Sequence, residues 1–314
     1  MSIAFTFPGQ GSQAVGMGKV LADTYPEAKA VFEEVDEALG QKLSDVMWNG
    51  PEADLTLTAN AQPALMTVSL ATMRVLESKG LDLAGSVSFV AGHSLGEYSA
   101  LAAAGAFDVA TAARLLRVRG DAMQNAVPVG QGAMAALLGL DFEAAQDVAR
   151  EAAQGEVCQA ANDNAPGQVV VSGHVAAVER AIDIAKAKGA RRALLLPVSA
   201  PFHCSLMAPA ADAMAEALAG ADIKAPKVPL VANVLAQPIS DTGEIRKRLV
   251  EQVTGTVRWR ESIEWLASEG VDTFVEVGTG KVLTGMVKRI AKETTGIAVN
   301  SPEDIDALIE KLNG

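Results

Sequence analysis

Short apolar runs separated by stretches of helical periodicity leave this chain few ways to fold. Ile3 to Phe7 is a largely apolar run stopped by Pro8-Gly9, which suits a buried strand ending in a loop. From Pro26 to Leu39 and again from Ala61 to Lys79, apolar residues recur at helical spacing, and Gly40 and Gly80 sit where helices stop. Val87 to Ala91 reads as a second strand, followed directly by a helical run through Ala104. Pro229 to Asn233 and Asp272 to Val277 read as later strands, with helical segments such as Met207 to Leu218 and Thr256 to Ser268 between them. Parallel neighbours need a crossover, and a helix supplies it, so this alternation implies an α/β fold with a parallel sheet covered on both faces.

The middle of the chain has another rhythm. Gly132 to Leu140 reads as a strand, Asp141 to Gln154 as a helix and Val157 to Ala161 as a strand. The Asn162-Asp163-Asn164-Ala165-Pro166-Gly167 stretch has the composition of a tight connection, after which Gln168 to Ser172 resumes as a strand. Val175 to Lys188 is a second amphipathic helix and Arg192 to Val198 a last strand. This βαββαβ order is that of a small ferredoxin-like unit. The expected organisation is a discontinuous large α/β domain, 1–126 and 201–314, with the ferredoxin-like subdomain inserted at 127–200.

Composition excludes several classes. The 314 residues carry 26 Lys+Arg against 38 Asp+Glu, a formal net charge of −12, with 49% apolar and 20% charged residues. Such a chain has ample material for a core and is no disordered polymer. Its acidity argues against a general nucleic-acid binder, which must replace phosphate counterions with its own positive charge. Cys158 and Cys204 are too few for a disulfide framework or a zinc site, so a reducing cytoplasmic compartment is expected. Leu55 to Met73 and Ala122 to Leu140 lack charge over nearly the length of a membrane span (Arg and Asp are absent from both), but Asn60, Gln62 and Pro63, and Gln124, Asn125, Pro128 and Gln131, make them poor spans. No basic residue precedes Lys19, so no secretory or transit signature is expected, and no membrane partner.

Gly92-His93-Ser94-Leu95-Gly96 is a G-x-S-x-G pentapeptide placed where a strand passes into a helix. Glycines there permit a sharp turn that lifts the serine hydroxyl out of the sheet beside a helix N-terminus. Ser94 and Glu97 also fit an S-x-x-E capping box, so nucleophile and helix cap both stay open on these residues alone. A serine nucleophile needs a base, and the chain has three His. His174 follows Ser172-Gly173 at a helix start, where a local structural role is expected. His93 adjoins the serine, so its side chain should point elsewhere and orient the turn. His203, in Ala200-Pro201-Phe202-His203-Cys204, sits in a loop before a helix, a place for a base at a domain junction or for a structural histidine.

Gly9-x-Gly11-x-x-Ala14 meets the loose dinucleotide fingerprint, but that motif needs a second strand ending in an acidic residue, and Pro26 to Leu39 is helical. These glycines could instead let backbone N–H groups face a ligand, as an oxyanion hole requires. Gly278-Thr279-Gly280-Lys281 lacks the first glycine of a phosphate loop, since position 275 is Val. Arg119, in Arg117-Val118-Arg119-Gly120, is expected at a helix end, either as a solvated cap or, pointing inward, as a planar fork for a carboxylate.

Together, F-P-G-Q-G-S-Q at 7–13, G-H-S-L-G-E-Y-S-A at 92–100, R-G at 119–120, A-N-D-N-A-P-G-Q at 161–168 and F-H-C at 202–204 resemble the malonyl-CoA:acyl carrier protein transacylases of fatty acid synthesis. The similarity runs from the first strand to Glu276-Val277-Gly278-Thr279-Gly280. It implies an α/β-hydrolase-like large domain with a short parallel sheet, besides the ferredoxin-like insert. It implies Ser94 as nucleophile, His203 as general base and then acid, and Gln252 orienting that histidine through its backbone carbonyl. Backbone N–H groups of Gln10 and Leu95 would form the oxyanion hole, Arg119 would hold the malonyl carboxylate, and Asn162 and Phe202 would line the substrate site. Phe202 is similar to the pattern associated with malonyl rather than methylmalonyl selection, and Thr279 departs from the proline usual in the late glycine motif. The resemblance implies no metal, nucleotide cofactor or prosthetic group. The expected partners are malonyl-CoA, a substrate, and an acyl carrier protein, with the chain a monomer.

Two rivals remain at this point. A serine esterase of α/β-hydrolase type would use the same pentapeptide with water as acceptor, and Asp163 lies between Ser94 and His203 in the required chain order. Against it, no motif marks an acidic partner, and the chain runs on from His203 to Gly314, whereas such histidines come close to the end. A non-catalytic scaffold of the same fold would have no need to keep Ser94, His203 and Arg119 together. Carrier proteins are acidic, so docking calls for a local positive face. Lys186, Lys188, Arg191 and Arg192, and separately Arg246-Lys247-Arg248, are the candidates, against the plainer reading of each as a solvated basic face.

Overall fold

The structure, a computed structural model, describes residues 2–313. Its strands are β1 (Ile3–Phe7), β2 (Phe89–Gly92), β3 (Gly132–Leu138), β4 (Cys158–Ala165), β5 (Gln168–His174), β6 (Arg192–Leu195), β7 (Leu230–Ala232), β8 (Gln237–Ile239), β9 (Thr273–Val277) and β10 (Thr295–Val299). They form a six-stranded sheet in the order β10-β9-β1-β2-β7-β8 and a four-stranded sheet in the order β4-β5-β3-β6. The larger sheet is parallel apart from the antiparallel β7–β8 hairpin at its edge. The smaller one is antiparallel throughout. The fold is thus mixed α/β with a mostly parallel sheet, as the strand and helix alternation requires.

Every residue of β1 is buried, as expected of a central strand covered on both faces. The Thr58–Ser78 helix is buried along almost its whole length between the Pro26–Leu39 and Val109–Asn125 helices. It begins three residues earlier than its sequence periodicity suggests and carries Pro63 in its interior. An internal proline removes a helical hydrogen bond, and burial of Ala64, Leu65, Val68 and Leu76 on all sides outweighs that loss. Among the described residues, no helix is long and apolar enough to cross a membrane.

The smaller sheet alternates its side chains with period two. Ala135 and Leu137 of β3 and Val169 and Val171 of β5 pack with the Phe142–Ala153 and Val175–Ala187 helices into a core of their own. Met134 and Val170 point the opposite way and join the main core. One face of this sheet therefore carries its helices, while the other is turned towards the carboxyl ends of β1 and β2.

One reading of this region needs correcting. Asn162, Asp163 and Asn164 belong to β4, which continues to Ala165 through two register irregularities, and only Pro166-Gly167 makes the turn. Asn162 bridges to Val257 through the backbone, and Asp163 and Asn164 stay in the strand because the side chain of each finds a partner. Asp163 N–H donates to Val257 O at 2.9 Å, its carboxylate pairs with Arg260 at 2.8 Å, and Asn164 meets His93. Strands β8 and β10 have no counterpart in the sequence reading. Both are edge strands, and β10 is only partly buried, so neither carries the continuous apolar run of a central strand.

Candidate active site

The turn after β2 is built by exclusion. A Cβ on Gly92 would lie 1.9 Å from Gly96 O, and one on Gly96 would lie 2.3 Å from Phe7 O, so only glycine lets the chain reverse against β1. Ser94, at the apex, has φ 53°, a left-handed conformation that non-glycine residues rarely adopt. Its backbone is held from both sides: Ser94 N–H donates to Asn233 Oδ1 at 2.8 Å, and Ser94 O accepts from Gln252 Nε2 at 2.9 Å. Asn233 Nδ2 also donates to Gly92 O at 2.7 Å, closing a clamp across the turn. The S-x-x-E capping box does not form. The Gly96–Ala103 helix has no side-chain cap, and Glu97 instead accepts from Asn233 N–H at 2.9 Å and from Gln252 Nε2.

His203 lies just beyond the smaller sheet and shares the left-handed backbone, with φ 57°. Its Nε2 is 2.7 Å from Ser94 Oγ and its Nδ1 is 2.8 Å from Gln252 O. A carbonyl can only accept, so Nδ1 carries the proton and Nε2 offers its lone pair to the hydroxyl. Burial, reinforced by the charge of Arg119, holds this imidazole down at about 3, so the resting ring is neutral.

Arg119 is not at a helix end. It sits well inside the Val109–Asn125 helix, 1% exposed and aimed at the site. It donates to Gln62 Oε1 at 2.7 Å, to Gln252 Oε1 at 2.7 Å and to Ser94 Oγ at 3.1 Å, while Nε is buried without a partner. Its guanidinium faces the Tyr98 ring at 5.8 Å. Among the described residues no carboxylate forms a salt bridge with it. Burial lowers its pKa, because the charged form is out of water. A buried cation that meets only neutral oxygens is suited to receiving an anion.

These groups face a cavity of about 590 Å³ that Gln10, Leu95, Asn162 and Phe202 also line. The backbone N–H groups of Gln10 and Leu95 meet no acceptor among the described residues. The Gln10 side chain accepts from Thr58 Oγ1 at 2.9 Å, and Thr58 accepts from Gln62 at 3.0 Å, so a polar chain runs back to Arg119. His93 points away from the hydroxyl: its Nε2 is 2.8 Å from Asn164 Oδ1 and its ring packs on Trp259. His174 precedes the Val175–Ala187 helix, where Nδ1 accepts from Val157 N–H at 2.9 Å. Asp163 is engaged by Arg260 and not by His203, whose Nδ1 is already taken by a carbonyl, so the acid of an esterase triad is absent from its place.

Asn233, Glu97, Gln62 and Asn164 are the site residues that the sequence reading missed. Gln62 and Asn164 line the cavity while Asn233 and Glu97 lie behind it, yet each acts through a neighbour, and none stands in a motif that names its partner.

A family model for the acyl transferase domain matches residues 4–303. The chain belongs to the acyl transferase family. Among the relatives of this transferase, the malonyl CoA-acyl carrier protein transacylase of Bacillus subtilis is 48% identical over 311 residues, 99% of this chain and 97% of its own length. A crystal structure of acyl-carrier-protein-S-malonyltransferase from Bartonella henselae is 56% identical, with a TM-score of 0.98 and 100% of both chains covered. A type II PKS acyl-carrier protein in complex with its malonyl-transacylase provides a further match, 44% identical with a TM-score of 0.96, covering 99% of this chain and 100% of that one. The resemblance carried by the motifs is therefore a family relationship over nearly the whole transferase.

Proposed function

We propose that this acyl transferase moves malonyl from malonyl-CoA to the phosphopantetheine thiol of an acyl carrier protein, by a ping-pong route through a malonyl ester on Ser94, for fatty acid synthesis. The observation that carries the reading is that one hydroxyl, Ser94 Oγ, touches both a neutral imidazole at 2.7 Å and a buried guanidinium without a carboxylate partner at 3.1 Å. The malonyl carboxylate takes the guanidinium, which brings the thioester carbonyl over Ser94. Oγ attacks that carbon as its proton passes to His203 Nε2, and the carbonyl oxygen gains charge facing the N–H groups of Gln10 and Leu95. Collapse breaks the C–S bond, and the CoA sulfur leaves with the proton from His203. The carrier thiol then gives its proton to His203 and attacks the ester, and Ser94 recovers the proton as it departs. Gln252 O holds the ring in the tautomer both halves need and stabilises the transient imidazolium.

Within this reading residues 1–126 and 201–314 form an α/β-hydrolase-like catalytic domain, and 127–200 a ferredoxin-like subdomain, which the βαββαβ order supports. Phe202 and Asn162 bound the acyl pocket. Acyl carrier protein as partner is supported by the malonyl-transacylase neighbour solved with its carrier. Of the two basic clusters, Arg246 is spent on the carbonyls of Leu218 and Ala221, and Arg248 on Glu244 and Glu251. Arg191 and Arg192 are exposed where the chain enters β6, one strand length from the Leu196 to Val198 wall of the cavity, and are the better docking face.

Incubation with malonyl-CoA followed by peptide mapping is the direct test. A malonyl ester on Ser94, lost in Ser94→Ala and discharged by carrier thiol, is the expected result. Full transfer activity with Ser94 unmodified overturns the reading.

A further inference from the structure

Glu97 is buried at 1% exposure beneath the site, yet no step of the proposed reaction uses it. Its carboxylate accepts from Asn233 N–H and from Gln252 Nε2. The same Gln252 nitrogen donates to Ser94 O, while Gln252 Oε1 accepts from Arg119 at 2.7 Å. The amide is thus caught between two acceptors on one side and a cation on the other. Only one orientation satisfies all of them, with nitrogen towards Glu97 and oxygen towards Arg119. The charged or titratable groups facing Glu97 are Arg119 and, on its own helix, Tyr98.

We infer that Glu97 is a positioning residue for acyl specificity, fixing the Gln252 amide so that its oxygen holds the Arg119 guanidinium where it receives the carboxylate of the acyl group. The inference rests on the reading above, in which Arg119 binds that carboxylate. An amide at position 97 exposes the mechanism. Its oxygen would continue to serve the buried Asn233 N–H, which turns its NH₂ group against Gln252 Nε2. To avoid two donors face to face, Gln252 must turn its amide over, and then Arg119 meets an NH₂ group and Ser94 O loses its donor.

The test is the acylation kinetics of Glu97→Gln with malonyl-CoA and with acetyl-CoA, at a pH above the value of about 7 to which burial raises this carboxyl. The KM for malonyl-CoA should rise about tenfold or more, as expected for a misplaced charge-assisted bond, while acetyl transfer and fluorophosphonate labelling of Ser94 fall far less. Gln252→Met, which removes the bridge and keeps its bulk, should shift the malonyl-to-acetyl preference similarly, and adding Glu97→Gln to it should shift the preference no further. That variant carries the same expectation if Glu97→Gln does not fold. Arg119→Ala separates the two levels. An unchanged preference in Arg119→Ala overturns the underlying reading. A preference that shifts in Arg119→Ala but not in Glu97→Gln or Gln252→Met overturns this inference alone, as does an equal loss of malonyl transfer, acetyl transfer and labelling.

Discussion

Asn233 gives the sharpest test of how the serine turn is held. Replacing it by Ala removes the Oδ1 that accepts from Ser94 N–H at 2.8 Å and the Nδ2 that donates to Gly92 O at 2.7 Å, while its backbone bond to Glu97 is untouched. Gly92 is buried and Ser94 half-buried, so the abandoned carbonyl loses its partner away from water and the abandoned N–H does so in part. Each such group costs about 1–3 kcal/mol, and a stability loss of about 3 kcal/mol allows for partial relaxation. For a chain of 314 residues this corresponds to a Tm lower by about 4–5 °C. A second consequence is kinetic. The left-handed Ser94, at φ 53°, costs on the order of 1–3 kcal/mol and persists because the clamp leaves it no alternative. Once the clamp is released, the hydroxyl moves off the line to His203 Nε2, and a displacement of about 1 Å is worth roughly 10²-fold in rate. Thermal melts followed by circular dichroism, combined with stopped-flow acylation and fluorophosphonate labelling, read the two effects separately. A variant that melts early but acylates at the normal rate refutes the claim that Asn233 positions the nucleophile, and a variant with unchanged melting refutes the clamp altogether.

Three further outcomes follow from other parts of the site. Asp163→Asn should destabilise the fold through loss of its pairing with Arg260, yet leave acylation by the folded enzyme within about threefold, because that carboxylate is not the partner of His203; a loss of order 10⁴, the signature of a triad acid, would restore the esterase reading. Gly120→Ala places a Cβ 2.6 Å from Ala59 Cα and should force the helices bearing Arg119 and Gln62 apart, lowering stability by about 1–3 kcal/mol and raising the malonyl-CoA KM; unchanged melting and KM would show that the helix contact is loose. Burial raises Glu97 from an ordinary 4.5 to about 7, so between these values the folded chain keeps a proton that the unfolded chain has released. Its stabilising contribution is full below pH 4.5 and is lost as pH rises through about 7, some 3 kcal/mol in all; urea titrations should show the stability difference between wild type and Glu97→Gln changing by that order across this window, and a pH-independent difference would mean that Glu97 titrates normally.

What could be read in the sequence was whatever leaves a local trace. The buried strand β1 and the Pro26–Leu39 helix have the bounds that their apolar patterns gave, since neighbours in sequence settle them. Gly92 and Gly96 announce the turn because a side chain there is sterically impossible. Arg119 and Gly120 form a pair for a reason visible only in three dimensions: the glycine lets the backbone at Ala59 approach, and this contact turns an arginine that looked like a helix cap into an interior one. The Asn162 to Asn164 stretch misled because its polar composition is that of a turn, whereas Arg260, His93 and the backbone at Val257, all remote in sequence, satisfy it as a strand. Asn233 and Glu97 were illegible for the same cause. Their significance lies in partners more than a hundred residues away, and nothing in their immediate neighbours encodes that distance.

The arrangement of anions around Arg119 has a physical logic of its own. A carboxylate in the place of Gln252 O would orient His203 as well as the carbonyl does, but it would also put a permanent negative charge beside the hydroxyl that Arg119 touches. The guanidinium would then pair with it, and an incoming acyl carboxylate would have to displace an internal ion pair before binding. A neutral carbonyl avoids that competition while still fixing the tautomer. Glu97 solves the opposite difficulty, since a cation fully buried among neutral groups would shed its charge or open the fold. Lying one amide away, on the far side of Gln252, the charge it carries above about pH 7 stabilises Arg119 through the bridge without occupying the fork. The sharpest consequence concerns Glu97→Asp. The shorter acid keeps the charge but draws back from Gln252 Nε2, so if charge alone matters it should retain malonyl preference, and if the relay through the amide matters it should lose preference nearly as far as Glu97→Gln. Acylation with malonyl-CoA and acetyl-CoA in parallel distinguishes the two, and full retention by the aspartate would replace the relay with a simple field effect.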